Sequence, residues 1–146
     1  MRRTPLVLPG ALLTVGLVGC GPGAITADRL SAALAPTFTN LYVHQQQQLS
    51  HPPTTATALQ TTSSCTRGTP ATPDEGTGAD WSCVVTWLID GSGTPVIARY
   101  DVTVKPDGCY TADGPPLTIG PRTISDITGH DVLNPLFAFD GCFDTT

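Results

Sequence analysis

Positively charged side chains are scarce in this sequence. Only 13% of the 146 residues are charged, and 7 lysines and arginines face 12 aspartates and glutamates, which gives a net charge of −5. Lys105 is the only lysine, and no run of basic residues occurs. A protein that binds nucleic acid needs clustered positive charge to meet the phosphates. We therefore expect no nucleic-acid partner.

Sequence motifs of the common catalytic sites are missing as well. The chain contains no GxSxG, SxxK, HExxH or phosphate-binding GxxxxGK[ST] sequence. Ser92 lies between two glycines, but the surrounding DGSG segment, residues 90–93, is typical of a hairpin turn. No spacing brings a nucleophile to a base or pairs two carboxylates. We predict a protein that is not an enzyme, with no catalytic residues and no cofactor.

Residues that bind metals are present but dispersed, and no CxxC pair occurs. The candidates are His44, His51, His130, Asp131, Asp140 and Asp144. Aspartates in turns usually accept hydrogen bonds from the local backbone, and this explains Asp107, Asp113 and Asp126. We predict no metal site.

One apolar run is present, and it is short. Residues 6–18 are mainly apolar and follow Arg2 and Arg3. As a helix this run would span roughly 20 Å, less than the ~30 Å hydrocarbon core of a bilayer. A positive start, a short apolar stretch and small residues at its end are typical of an export signal.

The run ends in Leu17-Val18-Gly19-Cys20, which resembles the lipobox of bacterial lipoproteins. In that family the cysteine receives a diacylglyceryl group and the signal peptide is cleaved just before it. The resemblance implies a signal peptide over residues 1–19, lipidation at Cys20 and attachment to the extracytoplasmic side of the cell membrane. The alternatives are an ordinary signal cleaved elsewhere and an uncleaved core segment.

The expected mature chain is small and acidic. Removing 19 of the 146 residues leaves 127, and the loss of two arginines changes the net charge from −5 to −7. We expect residues 20–27 to form a tether and residues 28–146 to form one domain. Contact with the membrane would come through the lipid rather than through charge.

Four cysteines remain once Cys20 is assigned to the lipid. They are Cys65, Cys83, Cys109 and Cys142. Four cysteines in an exported domain favour two disulfides, for which three pairings are possible. We favour Cys65–Cys83 and Cys109–Cys142, because each closes a modest loop.

Residues 26–49 have the periodicity of a helix. Thr26 suits the N-cap position, and Pro36 in the middle removes a backbone donor, so we expect a kink or a break into two helices. The predicted inward stripe recurs at helical spacing and consists of Leu30, Leu34, Phe38, Leu41 and Gln45.

Alternating apolar residues predict a hairpin of two strands, over 81–90 and 94–106, joined by the DGSG turn. The inward positions of its first strand are Trp81, Cys83, Val85, Trp87 and Ile89. We predict a long loop over 66–80, an edge strand or loop before it, and one or two brief strands within 117–129. The last strand places Phe137, Phe139 and Phe143 on one face.

The predicted fold is α+β, with the N-terminal helix packed on an antiparallel sheet of four or five strands. The large aromatic residues Trp81, Trp87, Tyr100 and Tyr110 have the spacing of core residues, which we favour over an exposed aromatic groove. Tyr42 and His44 on the helix fit either environment.

Four segments resemble small actinobacterial lipoproteins of unknown function: LYVHQQQQL (41–49), DWSCVVTW (80–87), GCYTADGPP (108–116) and NPLFAFDGCFD (134–144). The resemblance implies a helix followed by a cysteine-paired antiparallel sheet and supplies no catalytic residues. We expect a non-catalytic module that binds an envelope protein or a ligand, or supports the envelope. The alternative is an accessory or solute-capturing component associated with an ABC transporter, although not a permease, since one short export segment cannot form a conduction path.

Substituting the lipobox cysteine tests the expected anchor. Cys20→Ser should move the protein from the membrane fraction to the soluble extracytoplasmic fraction, because acyl chains contribute ~0.8 kcal/mol per buried CH₂. Gly23→Ser, which leaves the lipobox intact, should stay with the membrane. Fractionation and intact mass provide the readouts, and an unchanged distribution of the Cys20→Ser protein would contradict lipidation.

Overall fold

The computed structural model describes residues 24–89 and 93–143. In chain order the elements are α1 Ala27–Gln48, α2 Ala56–Leu59, β1 Thr62–Arg67, β2 Gly78–Leu88, β3 Pro95–Val104, β4 Cys109–Asp113, α3 Pro116–Ile119, β5 Thr123–Ser125, β6 Asp131–Leu133 and β7 Ala138–Cys142. The long helix α1 packs on one face of a five-stranded antiparallel sheet with the strand order β1-β2-β3-β4-β7, and β5 and β6 form a separate two-stranded ribbon. The predicted α+β class is confirmed.

Helix α1 continues through Pro36 as one element, so the alternative of two consecutive helices is wrong. Pro36 cannot donate a backbone hydrogen bond to Ala32, and an interior proline costs ~3 kcal/mol. The hydroxyl of Thr37 donates to the carbonyl of Ala33 at 2.9 Å, which supplies an extra bond beside the interruption. Packing of the buried stripe against the sheet maintains the rest of the helix.

The N-terminal end of α1 is tied to the sheet side of the fold. Thr26 is the N-cap, as predicted, and forms an isolated β-bridge with Glu75. The N–H of Ala27 donates to the carbonyl of Asp74 at 3.0 Å, and Ile25 packs against the core. The folded unit therefore includes the last residues of the expected tether.

The buried stripe of α1 departs from the prediction at one position. Leu30, Leu34, Phe38 and Gln45 are buried as expected, but Tyr42 is buried while Leu41 is only partly so. Leu30, Leu34, Phe38 and Tyr42 are spaced by four residues, and each step turns the helix by 400°, slightly more than one full turn. The buried face therefore shifts gradually around the helix and includes Tyr42 rather than Leu41.

The predicted hairpin strands are confirmed as β2 and β3, whose core residues alternate onto the face covered by α1. Strand β2 ends at Leu88, so the prediction that Ile89 continues the buried face is wrong, and Ile89 is 46% exposed. The DGSG turn lies largely outside the described residues. Before β2, the edge segment is a strand, β1, and the predicted loop is shortened because β2 begins at Gly78.

The segment 117–129 begins with a helical turn rather than a strand. Pro116 occupies the first turn of α3, where its fixed φ suits a helix. Strand β5 then pairs with β6, and Asp126 closes the turn between them by accepting bonds from Thr128 and His130. These hydrogen bonds lower the pKa of Asp126. The largest effect comes from the hydroxyl of Thr128 and the next from the backbone N–H of His130. The turn role predicted for Asp126 is confirmed.

The other two predicted turn aspartates differ from each other. Asp107 accepts the N–H of Cys109 at 3.0 Å, as a turn residue does. Asp113 instead is the last residue of β4, directly opposite Ala138 of β7.

Both favoured disulfides are present, and each joins residues directly opposite on neighbouring strands. The Cα atoms of Cys65 and Cys83 are 4.1 Å apart, and those of Cys109 and Cys142 are 3.9 Å apart. Such short separations belong to pairs that exchange no hydrogen bonds with each other. The first disulfide is buried under α1, whereas the second lies on the opposite face, where Cys142 is exposed.

The large aromatic residues form the core, as predicted. Trp81, Trp87, Tyr100 and Tyr110 are each no more than 3% exposed. The ring of Phe38 on α1 lies 4.7 Å from that of Trp87, between centroids. Burial raises the pKa of Tyr100, whose hydroxyl donates to the carbonyl of Leu136 at 3.0 Å.

Partial reduction should distinguish the two disulfides. A thiol reductant reaches Cys109–Cys142 on the exposed face before Cys65–Cys83, whose cysteines are at most 4% exposed. At low reductant concentration, alkylation followed by peptide mass mapping should label Cys109 and Cys142 first. Simultaneous labelling of all four cysteines under native conditions would contradict this order.

Candidate functional site

A cleft of about 440 Å³ lies at one end of the helix–sheet interface. Tyr42 and Gln45 come from α1, Trp87 from the end of β2, Val96 from the start of β3 and Ile119 from α3. Small-molecule sites typically occupy about 300–1,000 Å³ and combine apolar walls with a few polar groups. The cleft has both the size and the composition of such a site.

Trp87, which lines the cleft, carries an unpaired donor. The residue is 3% exposed, and its buried Nε1 has no hydrogen-bond partner among the described residues. The other tryptophan differs, because Trp81 Nε1 donates to the carbonyl of Gly76 at 3.1 Å. A buried N–H without an acceptor costs about 1–3 kcal/mol, which a ligand with a suitable acceptor can recover.

Polar side chains line the side of the cleft formed by the end of α1. Nδ1 of His51 lies 2.6 Å from Oε1 of Gln46, and Nε2 of Gln46 donates to Oε1 of Gln45 at 3.2 Å. His51 and Gln46 both line the cleft. They can meet the polar end of a ligand whose remainder contacts the apolar wall.

Asn134 holds the structure beside the cleft together. Its Oδ1 accepts from Nε2 of Gln45 at 2.7 Å and from the N–H of Leu136 at 3.0 Å. Its Nδ2 donates to the carbonyls of Ile119, at 2.9 Å, and Pro121, at 3.0 Å. Asn134 is 2% exposed, so these bonds link α1, α3 and the segment before β7 in a buried network.

Exposed apolar side chains occur on the elements that border the cleft. Ile89, which lines it, is 46% exposed, and Leu117 on α3 and Ile127 in the β5–β6 turn are 102% and 69% exposed. Of these, Ile89 adds exposed apolar surface to the cleft itself.

The predicted metal candidates do not come together. No group of three or more histidines, cysteines, aspartates or glutamates suited to a metal occurs within residues 24–89 and 93–143. His44 is exposed on α1, His51 contacts Gln46, and Nδ1 of His130 lies 3.0 Å from the hydroxyl of Thr128. Cys20 and Asp144 lie outside the described residues.

Comparisons with known proteins find no relative. No family model matches the chain, no curated protein matches it, and no solved structure matches its fold. In the described part of the chain, no helix has the length and apolar character needed to cross a membrane.

Two important residues of this region were missed by the sequence reasoning. The Asn134–Pro135 pair predicts a turn, and the turn is present, since the N–H of Phe137 donates to the carbonyl of Asn134 at 3.1 Å. The pair does not indicate that the Asn134 side chain is the centre of a buried hydrogen-bond network. Trp87 was predicted as a core residue, but nothing in the sequence shows that its ring nitrogen lacks an acceptor. A polar residue flanked by apolar residues, as in LNPL, is the one local signal for Asn134.

Replacing the network asparagine should destabilise the fold. Asn134→Ala leaves two donors and two acceptors without their partner, so we expect the free energy of unfolding to fall by about 2–4 kcal/mol. Asn40→Ala, on the exposed face of α1, should change it by less than about 0.5 kcal/mol. Urea denaturation followed by circular dichroism measures both, and equal stabilities would show that the network contributes little.

Proposed function

We propose that this chain is a lipid-anchored extracytoplasmic domain that binds, without catalysis, a small apolar molecule carrying a hydrogen-bond acceptor. The observation that supports this proposal most directly is an apolar cleft whose wall includes Trp87, a residue whose buried Nε1 has no partner among the described residues.

The chemistry of the cleft supports the apolar part of the ligand. Val96, Ile119, Ile124 and Leu136 line the cleft together with Ile89. Removing apolar surface from water contributes roughly 25 cal/mol per Å². A ligand that covers these side chains would therefore gain affinity mainly from burial, and its acceptor would fix its orientation against Trp87.

The location is supported by the sequence and the disulfides. The export signal and Cys20 indicate a domain held at the outer side of the membrane, and disulfides persist in such compartments. The expected envelope partner would then meet a domain that remains close to the lipid surface.

A solute-capturing role beside an ABC transporter is the second candidate. The open cleft favours it, because this role also requires a site that exchanges a small ligand. Mild crosslinking of the lipidated protein, followed by co-purification, separates the two candidates. Recovery of a permease or its ATPase would favour the transporter role, whereas their absence would favour an independent binding module.

Two neighbouring residues of β3 allow a matched test of the cleft. Val96 lines it, whereas Ile97 is 58% exposed on the other face of the sheet. The full chain with Cys20→Ser, which avoids detergent, should enhance the fluorescence of N-phenyl-1-naphthylamine, and decanoate should compete. Val96→Asn should weaken binding about tenfold, because an amide in an apolar site costs roughly 1–3 kcal/mol. Ile97→Asn should bind normally.

The result depends on the difference between the two variants. Equal loss in both would indicate general destabilisation, which urea denaturation would detect. Equal binding by both, or no binding by the parent protein, would contradict a ligand site at this cleft.

A further inference from the structure

The two edges of the five-stranded sheet differ in how their backbone groups are satisfied. On β1, the outward N–H of Cys65 donates to the hydroxyl of Ser31 at 3.0 Å, and that of Arg67 donates to Oδ1 of Asp74 at 2.6 Å. Helix α1 and the following loop therefore occupy this edge. An edge that is occupied in this way cannot accept another strand.

Strand β7, at the other edge, has no such cover among the described residues. Cys109 and Cys142 are a close pair that exchanges no hydrogen bonds, so alternate residues of β7 direct their N–H and C=O groups away from β4. These residues are Ala138, Asp140 and Cys142. All three are exposed, and no described residue bonds their outward backbone groups.

The surface beside this open edge is acidic. Asp140 is the central residue of β7, and Asp113 of β4 lies opposite Ala138 on the same face of the sheet. Asp113 in turn lies directly opposite Asp101 of β3, so two like charges meet across the strands. Two basic residues lie on this side of the sheet: Arg99, two positions before Asp101 on β3, and Lys105, whose N–H donates to the carbonyl of Cys109.

A second copy of this chain is a poor occupant for the edge. In an antiparallel pairing of two β7 strands, the register with the longest overlap places Asp140 opposite its own symmetry mate. Like charges directly opposite on neighbouring strands are destabilising. The same aspartate favours a strand that places a cationic side chain opposite it.

We propose that β7 is a docking edge for an extended, cationic segment of a partner protein. The segment adds a sixth strand, antiparallel to β7, and its backbone bonds to Ala138, Asp140 and Cys142. Lysine or arginine side chains at alternate positions lie on the acidic face, with one opposite Asp140. This surface is distinct from the cleft and does not depend on the ligand proposed there.

The test uses a fluorescent seven-residue peptide, capped at both ends, in which lysine alternates with valine between terminal threonines. Fluorescence anisotropy measures its binding to the full chain carrying Cys20→Ser. Asp140→Asn should weaken binding about two- to fivefold, as expected for one cross-strand charge pair. Asp28→Asn, which removes the same charge from the exposed start of α1, should leave the affinity unchanged. A peptide with glutamate in place of lysine should not bind.

Backbone pairing is tested on both partners. Asp140→Pro removes the carboxylate and an outward donor but no bond to β4, so it should weaken binding at least about tenfold, more than Asp140→Asn does. If this variant does not fold, methylated peptides provide the same test. In the proposed pairing the backbone N–H groups of the lysines point toward β7, and those of the valines point away from it. N-methylation at lysine should therefore abolish binding, whereas N-methylation at valine should be tolerated.

Three results would overturn the proposal. Equal affinities for the two methylated peptides would show that the edge backbone is not used. Unchanged peptide affinity in the Asp140→Asn variant would show that the Asp140 charge does not contribute to binding. A dimer in analytical ultracentrifugation that Asp140→Pro dissociates would identify a second copy as the occupant.

Discussion

The register of the five-stranded sheet is the constraint on which the remaining structure depends. A slip of one residue between neighbouring strands would turn every core side chain toward solvent. The Cys65–Cys83 and Cys109–Cys142 disulfides connect directly opposite residues, so they fix the register of the first and last strand pairs. Between them, β2 and β3 share nine paired positions, and Trp87 and Tyr100 of this pair contact the ring of Phe38 on α1. The two short outer strands need a covalent link more than this long central pair does.

Fixing the register gives the sheet two different faces. The inner face carries Trp87, Tyr100 and Tyr110 and is covered by α1, which packs Phe38 between the rings of its neighbours. Gly141 leaves room for Tyr110, since a Cβ there would stand 2.6 Å from the tyrosine hydroxyl. The outer face has no helix among the described residues. Apart from the exposed Ile97, it presents mainly threonines, serines and charged residues, and water can satisfy them because antiparallel sheets tolerate one solvated face.

Local patterns in the sequence predicted most of the fold but little of the candidate site. The two-residue period of β2 and β3, the apolar stripe of α1 and the cysteine spacings each report on neighbouring residues. The strands and both disulfides were confirmed, whereas the buried faces differed from the prediction at Leu41 and Ile89. Where we expected a strand after Pro116, the chain forms the helical turn α3, because proline favours the first turn of a helix. The partner of Asn134 is Gln45, 89 residues earlier, so no local pattern can indicate their contact. The cleft likewise combines α1, β2, β3 and α3, and only the assembled fold brings these segments together.

The Asn134 side chain and the Trp87 ring nitrogen differ in whether their hydrogen bonds are made. We relate the first to the stability of the domain and the second to the proposed ligand binding. Every polar atom of the Asn134 side chain has a partner, and the carbonyl of Ile119 and the N–H of Leu136 bond directly to it. Both of these residues line the cleft, so its wall keeps its shape without a ligand. Trp87, by contrast, contributes its ring to the aromatic core but leaves its N–H unpaired. The packed aromatic ring offsets the stability cost of this unpaired donor, for which the proposed ligand would supply the acceptor.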